Sequence, residues 1–259
     1  MSTQFRNAIV RVPGFNFAGG LTTSDLGRPR YELAVQQHVA YCEALRQCGL
    51  NLAMLPADLA HPDSTFVEDA AVLTPRAAIV TRPGAASRLG EAVAIRGELE
   101  KFFPVVQGVE APGTLDGGDI CDADGHFFLG LSRRSNEEGL RQLAAFLASL
   151  GYTSTVIDIR NTPGILHLKS GIAYLGENTL VLWESLASLP GFAKYERIVV
   201  APEEQYAANC VRVNDRVLVP GGFPKIAAEL ERRGFRPLLV EVSEFEKMDG
   251  GLSCLSLRF

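Results

Sequence analysis

Five short apolar runs punctuate the chain: Asn7–Val12 (NAIVRV), Ala77–Arg82 (AAIVTR), His126–Leu131 (HFFLGL), Asn178–Trp183 (NTLVLW) and Asp215–Pro220 (DRVLVP). They are rich in Val, Ile, Leu and Phe and bounded by turn residues, so they predict buried strands. Between them the apolar positions fall at helical spacing. Tyr31–Cys48 repeats Val35, Val39, Cys42 and Leu45 and stops at Gly49; Gly90–Phe103 stops at Pro104. Ser135 and Glu138 have capping-box spacing ahead of LRQLAAFLASL, and Gly151 lies just past its end. Pro224 is placed for a first helical turn and Gly234 ends KIAAELERRG. A shorter helix is expected within Glu184–Leu189.

The spacing of the strands carries a fold. They start at residues 7, 77, 126, 178 and 215, and 259 residues divided five ways gives about 52 per unit. Four of them follow another short segment: Thr65–Leu73, Gly118–Asp122, Ile165–Tyr174 and Asn209–Val213. The first has none upstream, and its natural partner is the C-terminal LSCLSLRF. This predicts an α/β ring of five strand–strand–helix–strand units closed by the two termini, which leaves fewer bare sheet edges. The plainer alternative is an open α/β sheet. One domain is expected over 1–259, with no linker or low-complexity break. The Gly- and Pro-rich stretch Pro13–Arg30 reads as a long loop, the kind that serves as a lid.

Composition narrows the function classes. Apolar residues are 47% and charged residues 21%, ordinary for a globular protein. A net charge of −5 offers no field for nucleic acid or anionic lipid. No apolar stretch approaches the ~20 residues of a membrane span, and the start, MSTQFRNAIVRVPG, has no signal-peptide apolar region. The 5 cysteines are an odd number with no CxxC pair, which suggests reduced thiols in a cytoplasmic protein. There is no phosphate-binding glycine loop, HExxH or zinc-type Cys/His spacing.

The segments ahead of the strands bring polar groups to positions that should be buried: Glu68 and Asp69, Asp116 and Asp119, His167, Asn209 with Cys210, and Asp249 with Cys254. Charges beside apolar runs are costly to bury unless paired or used. Five units around an axis would bring these groups to one central cavity. Cys254, after Gly250-Gly251, is the nucleophile candidate, and His167 the matching acid or base. Arg88 and Arg134 sit in Gly- or Ser-rich turns. Carboxylates with arginines suit a zwitterion carrying an additional cation. Taken singly, each residue reads more simply as structural: a core cysteine, a satisfied histidine, a solvated arginine.

Seven motifs in order, FVED, TRPGAASR, EAPGTLDGGD, GLSRRSNEEG, LHLKSGIAYL, YAANCV and DGGLSCLSL, resemble dimethylarginine dimethylaminohydrolase, of the guanidino-group-modifying superfamily. The resemblance runs from about Asn7 to Phe259. It implies a five-bladed α/β propeller of ββαβ units with pseudo-fivefold symmetry. It also implies hydrolysis of Nω-methylated arginine to citrulline and a methylamine through a covalent cysteine adduct, without a cofactor or metal. The implied nucleophile is Cys254 and the acid/base His167, with Asp116, where relatives carry Glu or Asp, orienting it. The implied substrate contacts are Asp63, Glu68 and Asp69, with Asp69 at the guanidinium, and Arg88 and Arg134 near the α-carboxylate. The Leu21 backbone would come from the lid, the Met248 backbone would meet the α-amino group, and Phe66 would wall the pocket. The partner is then a small molecule; a homodimer is allowed. Deimination of free arginine and binding of a guanidino compound without turnover are the competing readings.

Overall fold

Each of the five apolar runs is the central strand of its own three-stranded sheet, five such sheets among the described residues. The computed structural model describes residues 4–259; the start of the polar lead, residues 1–3, lies outside the described residues. The central strands are Asn7–Arg11, Ala78–Val80, His126–Leu131, Thr179–Leu182 and Arg216–Pro220. Each pairs antiparallel on one side and parallel on the other. The parallel partner follows a helix in every unit: Tyr31–Gln47, Leu89–Leu99, Glu137–Ser149, Glu184–Ala187 and Pro224–Arg232.

The termini close the ring. Ala8 pairs with Arg258 and Ile9 with Leu257, antiparallel. The Phe259 carbonyl accepts from the Arg6 and Asn7 amides at 2.8 and 2.7 Å. Its ring packs on Phe102 and Phe103 at centroid distances of 5.0 and 4.9 Å.

The core lies between blades, one apolar cluster at each junction. Ile9 and Leu257 of the terminal sheet meet Ala78 and Val80 of the next, and Val72 and Ile79 meet Phe127 and Leu129. Phe128 and Ile157 meet Leu180 and Leu182, and Val181 meets Val217 and Val219. Val211 and Leu218 then return to Ala8 and Val10. Burial on both faces makes the central strands continuous apolar runs.

Two local expectations need correction. The polar residues ahead of the strands are not on the strands; most lie on or beside short 3₁₀ turns that lead into them. Such turns are Val67–Ala70, Gly117–Asp119, Leu168–Ser170, Pro202–Ala208 and Ser253–Leu255. A turn leaves backbone groups free, so charged side chains and amides satisfy one another there. The cap of Glu137–Ser149 is Asn136, whose Oδ1 accepts from the Gly139 amide at 2.8 Å and from the Thr114 amide at 2.9 Å. Ser135, one residue earlier, is fully buried. Among the described residues no helix is long and apolar enough to cross a membrane.

Candidate active site

The 3₁₀ turns meet at the hub, where neighbouring turns pack in order around the axis. At their centre, His167 Nε2 lies 3.0 Å from Asp116 Oδ2. Asp116 Oδ1 accepts the Gly84 amide at 2.8 Å, so both carboxylate oxygens are engaged. Gly118 lies against the imidazole: a Cβ there would be 2.9 Å from His167 Cγ and 2.8 Å from Asp69 Oδ1. Only glycine allows this approach.

Asp69 is held on two sides. Its Oδ2 accepts from Arg88 Nη1 at 2.6 Å and its Oδ1 from the Gly118 amide at 2.9 Å. Burial pushes its carboxyl up, but His167 and Arg88 outweigh that and hold it well below the usual range. Burial also disfavours the His167 cation, yet Asp69, Asp119 and Asp116 together raise the imidazole to about 9. The ring is therefore an imidazolium at neutral pH. The ligand atoms of Asp69, Asp116 and His167 lie within 4.8 Å of one another, a spacing a metal could use. The ion pairs just described already account for their closeness.

Cys254 follows the turn from the tight Gly250-Gly251 pair, where a Cβ on Gly250 would lie 2.1 Å from the Phe66 ring. Its Sγ accepts from the Gly251 amide at 3.4 Å. Burial, then the charges of Glu68 and Asp69, push the thiol up to about 12, so it is protonated at rest. Cys254 and His167 share the wall of one cavity of about 810 Å³, lined also by Trp183, Tyr206 and Asp249.

Beside this hub lies a smaller cluster under the loop Pro13–Arg30. Asp63 Oδ1 accepts the Leu21 amide at 2.9 Å. The Thr22 hydroxyl donates to the Lys247 carbonyl at 2.9 Å, and the Thr23 amide to Asp249 Oδ2 at 2.5 Å. The loop is thus fastened to the segment that carries Met248. Phe66 stands beneath it against Phe17 and Phe245.

No family model matches the chain. A curated dimethylarginine dimethylaminohydrolase of Pseudomonas aeruginosa is 44% identical over 256 residues, 98% of this chain and 100% of the relative. The chain belongs to the dimethylarginine dimethylaminohydrolase family. The family member of Streptomyces coelicolor is 36% identical, covering 98% of this chain and 96% of its own. A solved structure of the Pseudomonas family member, a cysteine-to-serine variant complexed with citrulline, superposes with a TM-score of 0.97 at 43% identity, over 99% of this chain and 100% of that one. A histidine-to-glycine variant, an adduct with S-methyl-L-thiocitrulline, gives 0.96 at 44%, with the same coverage. The N-terminal domain of a cyanobacterial arginine dihydrolase, at 17% identity and a TM-score of 0.87 over 97% of both chains, shares the fold. The five-bladed α/β propeller of this family is the fold found here.

Cys254, His167, Asp116, Asp69 and Glu68 are brought to the hub, and Leu21, Asp63, Phe66 and Met248 to the adjoining cluster. Arg88 is buried, and its Nε donates to Glu91, its Nη1 to Asp69, and its Nη2 to Glu91 and the carbonyls of Asp63 and Phe66. Of five N–H groups, one on Nη1 is left. Arg134 is freer, 3.8 Å from Asp116 Oδ2 through Nη1. Glu68 is also engaged, by Lys169 Nζ at 2.6 Å and the Ser253 hydroxyl at 2.7 Å. Glu91, Lys169 and Ser253 were not singled out from the sequence. A helical glutamate three residues after an arginine is a commonplace pair, and only the burial of Arg88–Glu91 sets it apart.

Proposed function

We propose that this protein hydrolyses Nω-methylated arginine to citrulline and dimethylamine or methylamine. The observation that carries the reading is an imidazolium and a half-buried thiol lining one cavity, with carboxylates behind them, in a chain of this family.

The chemistry follows from the charges. A guanidinium carbon is a poor electrophile because its charge is delocalised. Burial, together with the charges of Glu68 and Asp69, holds the thiol protonated when no substrate is present. A docked guanidinium offsets those two charges, so the thiol proton leaves to solvent and Cys254 becomes the thiolate. The sulfur then bonds to the guanidinium carbon. His167, cationic at rest, donates its proton to the departing amine as the carbon–nitrogen bond breaks, leaving an S-alkylthiouronium. The now neutral His167 takes a proton from water, the oxygen bonds to the same carbon, and the carbon–sulfur bond breaks to release citrulline. Asp116 keeps the imidazole oriented throughout. Asp63, the Leu21 and Met248 backbones and Arg134 hold the amino-acid end. Arg88 acts mainly by fixing Asp69, and Phe66 walls the pocket. The fastened loop over Asp63 excludes water until the amine has left.

We place this activity in one catalytic domain over 1–259, in the cytoplasm; five unbridged thiols support a reducing compartment. A homodimer is included in the reading, and sedimentation measures it. The test of function is a panel of arginine, monomethylarginine and both dimethylarginines, with products identified by mass. Citrulline with dimethylamine from asymmetric dimethylarginine is expected. Citrulline from arginine alone would make the protein a deiminase, and no citrulline from any of the four would make it a binding protein.

A further inference from the structure

Asp119 has no part in the reaction just described, yet it is fully buried three residues from Asp116. Its carboxylate ties three segments of the site together. Oδ2 accepts from the Ser132 hydroxyl at 2.7 Å and the Ser135 hydroxyl at 2.6 Å. Oδ1 accepts from the Leu168 amide at 3.0 Å, the residue after His167. The serines pass the restraint on. Ser135 Oγ accepts the Asp116 amide at 3.0 Å, and Ser132 Oγ accepts the Arg134 and Ser135 amides at 2.9 and 3.0 Å. Each hydroxyl has a single proton, and both protons point at Asp119.

This arrangement fits a charged carboxylate. Three donors converge on Asp119, and none of its contacts accepts a proton from it. The close approach is built into the neighbouring strand, where a Cβ on Gly130 would lie 2.8 Å from Leu168 Cβ and 3.0 Å from Asp119 Oδ1. Burial pushes the carboxyl up to about 6, so it is mostly ionised at neutral pH.

We propose that Asp119 is a positioning residue for the hydrolysis: its carboxylate locks the His167 turn to the Asp116 and Arg134 segments and supplies a fixed negative charge behind the imidazole. The proposal rests on the reading of function above. The charged groups facing His167 are Asp69 from the Val67–Ala70 turn, and Asp116 and Asp119 at the Gly117–Asp119 turn. Lys169 lies on its own turn and is engaged by Glu68, Arg134 lies beyond Asp116, and Cys254 lines the same cavity. Asp69 and Asp116 touch partners that Asp119 does not, so removing the Asp119 charge is a separable change.

The test uses Asp119→Asn and Ser135→Ala in the full chain. The first readout needs no substrate: titration of the His167 ring by NMR, assigned with His167→Asn. Asp119→Asn is expected to lower the His167 ionisation by about one pH unit and kcat by about tenfold or more, with KM changed less. Ser135→Ala keeps the charge and loses one tether; it is expected to lower kcat while leaving the His167 ionisation in place. A His167 titration unchanged in folded Asp119→Asn, or kcat unchanged in both variants with only the melting temperature lowered, overturns the proposal. If Asp119→Asn does not fold, an unchanged kcat in Ser135→Ala overturns it and a reduced one supports it. An inactive wild-type chain would refute the function reading, while the titration would still report on Asp119.

Discussion

At the scale of single residues, the site is a set of charges that hold one another out of their ordinary states. The Cys254 thiol is pushed up to about 12 by burial first, and then by the charges of Glu68 and Asp69. Alkylation of the free protein by iodoacetamide is therefore expected to be slow at pH 7 and to keep rising past pH 9 without a plateau; a plateau near pH 7 would mean a thiolate at rest. Cys254→Ser is expected to abolish turnover and leave the circular-dichroism melt within ~0.5 kcal/mol of wild type, since the sulfur makes only weak polar contacts. The imidazole of His167, raised to about 9, predicts an opposite dependence. The acid form that protonates the amine is lost as pH rises through about 9, so kcat should fall there; a constant kcat to pH 10 would contradict the role. The same rise adds stability that is full below about 6.5, the ordinary imidazole value, and is lost through 9. Acidification from 9 to 6.5 should therefore strengthen folding from this group.

At the scale of elements, the working residues sit on short turns, and helices and strands serve as their mounts. Asn136 shows how one side chain serves both. It caps Glu137–Ser149 through the Gly139 amide and ties that helix to the Thr114 amide and the Pro112 carbonyl, just ahead of Asp116. Asn136→Ala should cost about 1–2 kcal/mol in urea unfolding, the upper part of the usual capping range. A loss below ~0.5 kcal/mol would show the cap to be dispensable. The motif DGGD was legible as a chemical oddity, but the residues alone did not divide the labour between its two aspartates; only the family resemblance gave Asp116 to His167, and it gave Asp119 no role. Asp116 and Asp119 differ in what they touch, and nothing in the local sequence says which one meets the imidazole.

At the scale of the whole molecule, the last strand holds the ring shut. Leu257 sits in the cluster between the first two blades, and Phe259 packs on Phe102 and Phe103. Deleting Leu257–Phe259 should cost roughly 3–5 kcal/mol by the apolar area uncovered, and should lower kcat as well. Arg258 contacts Glu68 and the Ser253 carbonyl beside Cys254. A truncated chain with wild-type midpoint in urea would show that closure is not what stabilises the ring.

The amino-acid sequence by itself determined the five central strands, because burial on both faces forces an unbroken apolar run. It also determined the fivefold spacing and the polar groups that had to converge. The outer strands, such as Thr153–Asp158 and Glu196–Val199, were invisible to it, since half-exposed edge strands carry no distinct pattern. Tertiary structure alone decided which charges pair. Arg88 anchors Asp69, and Ser135, which has the spacing of a helix cap, instead links Asp119 and Asp116. The physical reason is that a buried charge takes the nearest partner in space, and at the hub of the ring those partners come from turns far apart along the chain.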